Sequence, residues 1–173
     1  MVLAMQADDH SGTSLHAVEV DPGEPGPGSV RVRVRAAGVN PSDAKLLRGD
    51  FGRGRTPVRP GSEVSGVVTA VGEGAVGPLG PLRVGDEVVA FRVAGGWSGE
   101  LIARASSVLP KPAGLGWEAA AGLLLTGTTA VHLLEAVRVA AGETVLVHGA
   151  SGAVGSLLVQ LAVARGARVL GTA

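Results

Sequence analysis

The chain has 173 residues, 46% of them hydrophobic, and its 15 basic side chains balance its 15 acidic ones. That length allows one large domain or two small ones, and the neutral balance gives no electrostatic basis for a nucleic-acid or anionic-membrane partner. With no cysteine, disulfides and thiolate-held metals are excluded.

The first ten residues, MVLAMQADDH, lack a basic lead and soon meet Asp8 and Asp9, so they do not read as a secretory signal. The longest helical stretch, near 118–137, is interrupted by Gly122, Gly127, His132 and Glu135 and is not a membrane span. A soluble, cytoplasmic protein is the expectation. Tyrosine is absent altogether, which removes one common proton donor.

Residues 1–20 are weakly patterned, with a turn at Ser11-Gly12 and a strand over His16 to Val20. Three prolines and three glycines in residues 22–28 make a connecting loop, because proline lacks a donor and glycine a side chain. Val30 to Arg35 alternates valine with arginine, the pattern of a strand with valines inward and arginines in solvent. In a neutral chain that arginine row reads as a solvated sheet face rather than a phosphate track. Asn40 precedes Pro41 and is pushed to an extended conformation, with a helical turn expected over Ala44 to Arg48. Residues 51–59 are basic and irregular. Strands are expected at Val64 to Val71 and after the turn at Gly85-Asp86, with further short strands to Pro110. Short strands between Gly/Pro turns suggest a small barrel-like β domain.

Helix formers take over at Trp117, and a second helix is expected near Thr128 to Val137. The domain boundary falls near 115–120, dividing 1–117 from 118–173. Thr144 to His148 is a β-branched apolar run suited to a buried strand. Glycines crowd the turn that follows, and Val154, Leu157, Leu158, Leu161 and Ala162 recur at helical spacing. Gly166 stops that helix, and Arg168 to Thr172 opens a second strand. This is a βαβ unit whose first corner resembles the G-x-G-x-x-G phosphate turn, with Ala150 in the first slot and Gly152 and Gly155 in the others. A helix N-terminus offers free N–H groups and partial positive charge, which suit a pyrophosphate.

Four strings carry a family resemblance: AAGVNPSDAKLLRG, RPGSEVSGVVTAVG, RVGDEVVAF and TAVHLLEAVRVAAGETVLVHGASGAVG. In this order they resemble the medium-chain dehydrogenase/reductase superfamily, and within it the zinc-free, quinone oxidoreductase-like branch. The resemblance implies an α/β chain with a β domain: an N-terminal GroES-like β barrel followed by the first βαβ unit of a Rossmann fold. It also implies NADPH as cofactor and a small-molecule substrate, a quinone, enone or related activated alkene, reduced by hydride transfer. Asn40 and Ser62 occupy the slots of the cysteine and histidine that bind catalytic zinc in related enzymes. Asparagine is a poor zinc ligand and serine a rare one, so no metal is expected.

By the same resemblance Asn40 and Thr129 face the nicotinamide, while Ser151, Gly152, Ala153 and Val154 lie beneath the pyrophosphate. Each has a simpler reading. Asn40 suits a turn before proline, and a helical threonine bonds back to a carbonyl one turn earlier. Glu63 and Asp43 match acidic family positions and read as loop-fixing acids. No catalytic side chain is assigned, since Phe51 stands close to the place of the branch's tyrosine. Ala173 sits where an acid would select NAD, which favours NADP. The sequence stops after the second Rossmann strand, so a truncated reductase is expected, with open strand edges suited to a homodimer. An enoyl-thioester reductase of the same fold and a non-catalytic binding or dimerisation module are the alternatives.

Overall fold

The computed structural model describes every residue except Arg53. One unit, Met1–Gly122, contains β1 (Val2–Ala7), β2 (Leu15–Val20), β3 (Ser29–Ala37), α1 (Pro41–Arg48), β4 (Glu63–Val71), β5 (Val76–Gly77), β6 (Gly80–Pro81), β7 (Glu87–Phe91), β8 (Glu100–Arg104), β9 (Val108–Pro110) and α2 (Trp117–Ala121). The other, Leu123–Ala173, contains α3 (Leu124–Ala136), β10 (Thr144–Val147), α4 (Ala153–Ala164) and β11 (Arg168–Gly171).

The valine–arginine alternation makes β3 the centre of the first unit. Val30 and Val32 are fully buried, and Arg33 and Arg35 remain in solvent. The arginine face is paired rather than merely solvated. Arg33 Nε donates to Glu100 Oε1 at 3.1 Å, and Arg31 Nη1 reaches Glu24 Oε1 at 3.0 Å. Five antiparallel strands assemble in the order β8-β3-β4-β7-β9. Their inward valines and alanines, with Leu82 and Leu101, form the core.

The β1–β2 ladder is separate, joined to the rest through bridges at Ala4–Ser98 and Ala7–Val58. Among the described residues the first unit is thus built from distinct ladders, not from the one closed barrel expected. Helix α2 packs on β3 and β4, with Ser65 Oγ donating to the Trp117 carbonyl at 2.7 Å.

Helix α1 starts earlier than its sequence suggests because Pro41 occupies the first turn, where a missing N–H costs nothing. Asn40 before it is extended, with φ −127° and ψ 154°, and Gly49 ends the helix at φ 74°. The expected irregular stretch at 51–59 includes Arg53, which lies outside the described residues.

In the second unit β10 and β11 pair in parallel, Val145 opposite Val169. Leu134, Ala162 and Ala167 are buried beneath Val145, Leu158, Leu161 and Val169. Alternate strand residues face the other way, leaving Leu146 at 55% and Leu170 at 48% exposure. Among the described residues no helix is long and apolar enough to cross a membrane.

Leu134 is 1% exposed whereas its neighbour Leu133 is 46% exposed. Leu134→Ala is expected to destabilise the second unit by roughly 2–5 kcal/mol, and Leu133→Ala by less than about 0.5 kcal/mol. Amide hydrogen exchange of β10 and α4 in the two variants measures the difference.

Candidate functional site: a clamped asparagine loop and a glycine turn

In the first unit two loops meet at buried acids. Asp43, in the first turn of α1, is 2% exposed. Its Oδ2 accepts the Asn40 N–H at 2.8 Å and its Oδ1 the Gly61 N–H at 3.2 Å. One carboxylate therefore ties the loop before α1 to the loop before β4, a charge-assisted pairing stronger than bonds between neutral groups. It also lies where the helix dipole favours negative charge. The Asn40 side chain turns inward, 8% exposed, and its Nδ2 donates to Glu63 Oε1 at 2.8 Å. Trp97 Nε1 donates to the Gly38 carbonyl at 2.9 Å, holding the strand that leads into Asn40. Ser62 Oγ is shielded from solvent and has no hydrogen-bond partner among the described residues.

In the second unit the glycine turn follows β10. Gly149, at φ 66°, reverses the chain in a conformation that suits a residue without Cβ. Gly152 N–H closes the turn on the Gly149 carbonyl at 3.0 Å. A Cβ at Gly155 would strike the Gly149 carbonyl oxygen and sit 2.8 Å from the Ala150 Cα, so the start of α4 packs directly on the turn. Gly152 is the N-cap and no side chain caps the helix. The first N–H groups of α4 therefore have neither an intrahelical acceptor nor a side-chain substitute. Ser151, Gly152 and Ala153 are exposed there, Val154 is half-buried, and Gly155 is buried.

The alanine in the first fingerprint slot is accounted for. Ala150 N–H donates to the Thr172 carbonyl at 2.8 Å, stitching the turn to the end of β11. Gly149, one residue earlier, supplies the tight bend. Gly171 lacks the Cβ that would lie 2.8 Å from the Ala150 side chain. Sequence reasoning passed over His148, whose Nδ1 lies 3.1 Å from Thr172 Oγ1 across the C-terminal ends of both strands. The available signal was positional, since ligands of open α/β sheets sit beyond the carboxyl ends of the strands.

The structure gathers Ser151 to Val154 into one turn and places Asn40 in the other unit. Thr129 lies on α3, exposed, with Oγ1 donating to the Leu125 carbonyl at 2.8 Å. Phe51 is 66% exposed just after α1. Among the described residues no group of three or more His, Cys, Asp or Glu is placed to hold a metal.

A bare helix N-terminus behind a glycine turn, in a βαβ unit that follows a β unit, places the chain in the α/β class, with the corner where open α/β sheets take ligands. Comparison with known proteins sharpens this class. Residues 26–124 match the alcohol dehydrogenase GroES-like domain. Quinone oxidoreductase of Rattus norvegicus is 35% identical across 100% of this chain and 53% of its own length. The mycobacterial protein Rv1454c, solved complexed with NADPH, superposes with a TM-score of 0.86 at 36% identity, over 99% of this chain and 51% of that one. CurK enoyl reductase superposes at 0.88 with 28% identity, over 99% of this chain and 54% of that one. The chain therefore belongs to the alcohol dehydrogenase GroES-like family, in the quinone oxidoreductase-like branch of the medium-chain dehydrogenases/reductases. It spans about half the length of the curated relatives it matches.

Asp43→Ala strands two backbone N–H groups and is expected to cost roughly 3 kcal/mol in the first unit. Asp43→Asn keeps one acceptor oxygen and is expected to lose about half of that. Urea unfolding of both variants, read from Trp97 and Trp117 fluorescence, measures the ratio.

Proposed function

We propose that the protein is an NADPH-dependent, zinc-free reductase of quinones, enones or related activated alkenes. The observation that carries this reading is the uncapped start of α4 behind the Gly149 turn. Ser151, Gly152, Ala153 and Val154 would bind the pyrophosphate through backbone N–H groups, which need no side-chain charge. Similarity to a protein solved with NADPH supports the cofactor, as does Ala173 where an NAD-selecting acid would stand. When bound, the nicotinamide supplies a hydride.

The chain's own residues then position and exclude. Thr129 spends its hydroxyl hydrogen on Leu125, so toward a cofactor it acts as an acceptor for an amide N–H. Asn40 presents a carboxamide fixed at both backbone and side chain. Phe51 carries no hydroxyl, so the proton that accompanies the hydride is drawn from solvent. Asn40 and Ser62 offer poor zinc ligation, in keeping with chemistry that rests on orientation.

A second reading, an enoyl-thioester reductase of the same fold, is favoured by the similarity to CurK enoyl reductase. NADPH oxidation with a panel of quinones, enones and crotonyl thioesters separates the two. Turnover with quinones or enones, unchanged by chelators, is the expected result. Activity on thioesters alone selects the second reading, and loss of activity with a chelator contradicts the zinc-free one. If no acceptor drives oxidation, the reductase reading falls, and NADPH binding without turnover would mark a binding module. Gly155→Ala forces the turn away from α4 and is expected to weaken NADPH binding at least about tenfold, as read by fluorescence titration.

A further inference from the structure

We propose that Glu63 is a positioning residue that fixes the sense of the Asn40 carboxamide, so that a ligand meets that amide in one orientation only. The inference rests on the reading of Asn40 as a nicotinamide contact.

An asparagine amide has two ends of nearly the same size and opposite hydrogen-bonding character. Without a partner that distinguishes them, it can turn over at small cost. A carboxylate distinguishes them, because it accepts and has no hydrogen to give. Glu63 is 1% exposed and takes the Nδ2 end of Asn40 at 2.8 Å. Asp43 holds the same residue by its main-chain N–H at 2.8 Å. Two acids thus fix one asparagine, one at the backbone and the other at the side chain.

The surroundings are shaped around Glu63. A Cβ on Gly38 would lie 2.5 Å from Glu63 Oε1 and 2.6 Å from its Cγ, so the side chain occupies space that any other residue at 38 would claim. Trp97 Nε1 keeps Gly38 in place through its carbonyl. Between the two inward positions Val39 points out, 77% exposed. The loop is therefore not held by burial of its own apolar residue, and its inward face is polar.

Burying a carboxylate is costly. An apolar pair of the same shape can be neutral or stabilising where only packing is at stake. Whatever else Glu63 holds, its bond to Nδ2 gives the Asn40 amide a direction.

A double-mutant cycle tests this in the full chain, combining Glu63→Gln with Asn40→Ala. Glutamine keeps the size of Glu63 but can present either an oxygen or an amide, so it no longer selects one end of Asn40. Alone, Glu63→Gln is expected to lower kcat/KM for NADPH on the order of tenfold, with a parallel loss of NADPH affinity. In the Asn40→Ala background the same change is expected to do nothing further, because the group it acts through is gone. Equal losses in both backgrounds would overturn the proposal and assign Glu63 to the fold.

A second measurement needs no turnover. In the labelled wild-type chain the Nδ2 protons of Asn40 are expected to exchange slowly with solvent by NMR, and in Glu63→Gln to exchange fast. Unchanged protection in Glu63→Gln would overturn the positioning role. If the wild type neither binds nor oxidises NADPH, the functional reading of Asn40 fails, and the NMR result alone decides whether Glu63 orients it.

Discussion

The second unit depends on how closely α4 approaches the turn in front of it. Gly155 lies against the Gly149 carbonyl with no room for a side chain, so the helix abuts the turn without a spacer. That contact seats the start of α4 directly on the turn after β10, where the first N–H groups of a helix lack an intrahelical acceptor. Nearby constraints act in the same sense. Ala150 is tied to Thr172, and His148 meets the Thr172 hydroxyl. A larger residue at 155 would separate helix from turn and spread the N–H groups that an anion needs together.

The first unit solves a different problem, how to hold an irregular polar loop against a β sheet. Its answer is buried acid. Asp43 spends both oxygens on backbone N–H groups of two loops, and Glu63 spends one on a side-chain amide. The first bond set is architectural, since it joins segments distant in sequence. The second acts on one side chain and gives it direction. At the sheet face of the same unit Arg31 and Arg33 share the largely shielded Glu100 carboxylate, and the more exposed Arg33 is the partner that solvent screens.

Much of this was legible in the sequence because period and punctuation agree. Strict valine–arginine alternation marked β3 and its buried face, and a β-branched run, crowded glycines and 3.6-residue spacing marked β10, α4 and their corner. The four strings quoted above placed the chain in its family, which the match over 26–124 supports. β1 was not legible. Its VLAMQA segment mixes two buried alanines with an exposed Leu3, and its place is set by pairing with β2, a long-range contact that no local pattern announces. α1 was read short because Pro41 was weighed as a boundary for Asn40 rather than as a helix start. The partners of Asp43 and Glu63 were equally hidden, since the Asn40–Glu63 bond spans 23 residues and exists only once β3 and β4 are paired. The sequence showed alanine in the first fingerprint slot and glycines crowding the turn, but not that the bend sits at Gly149.

The proposed reductase depends on the start of α4 serving as an anion cradle made of backbone. The most direct measurement is a map of backbone amide shifts on adding NADPH to the labelled chain. The largest changes are expected at Ser151 to Gly155, fading along α4. NADPH that binds while those five amides stay unmoved would contradict it.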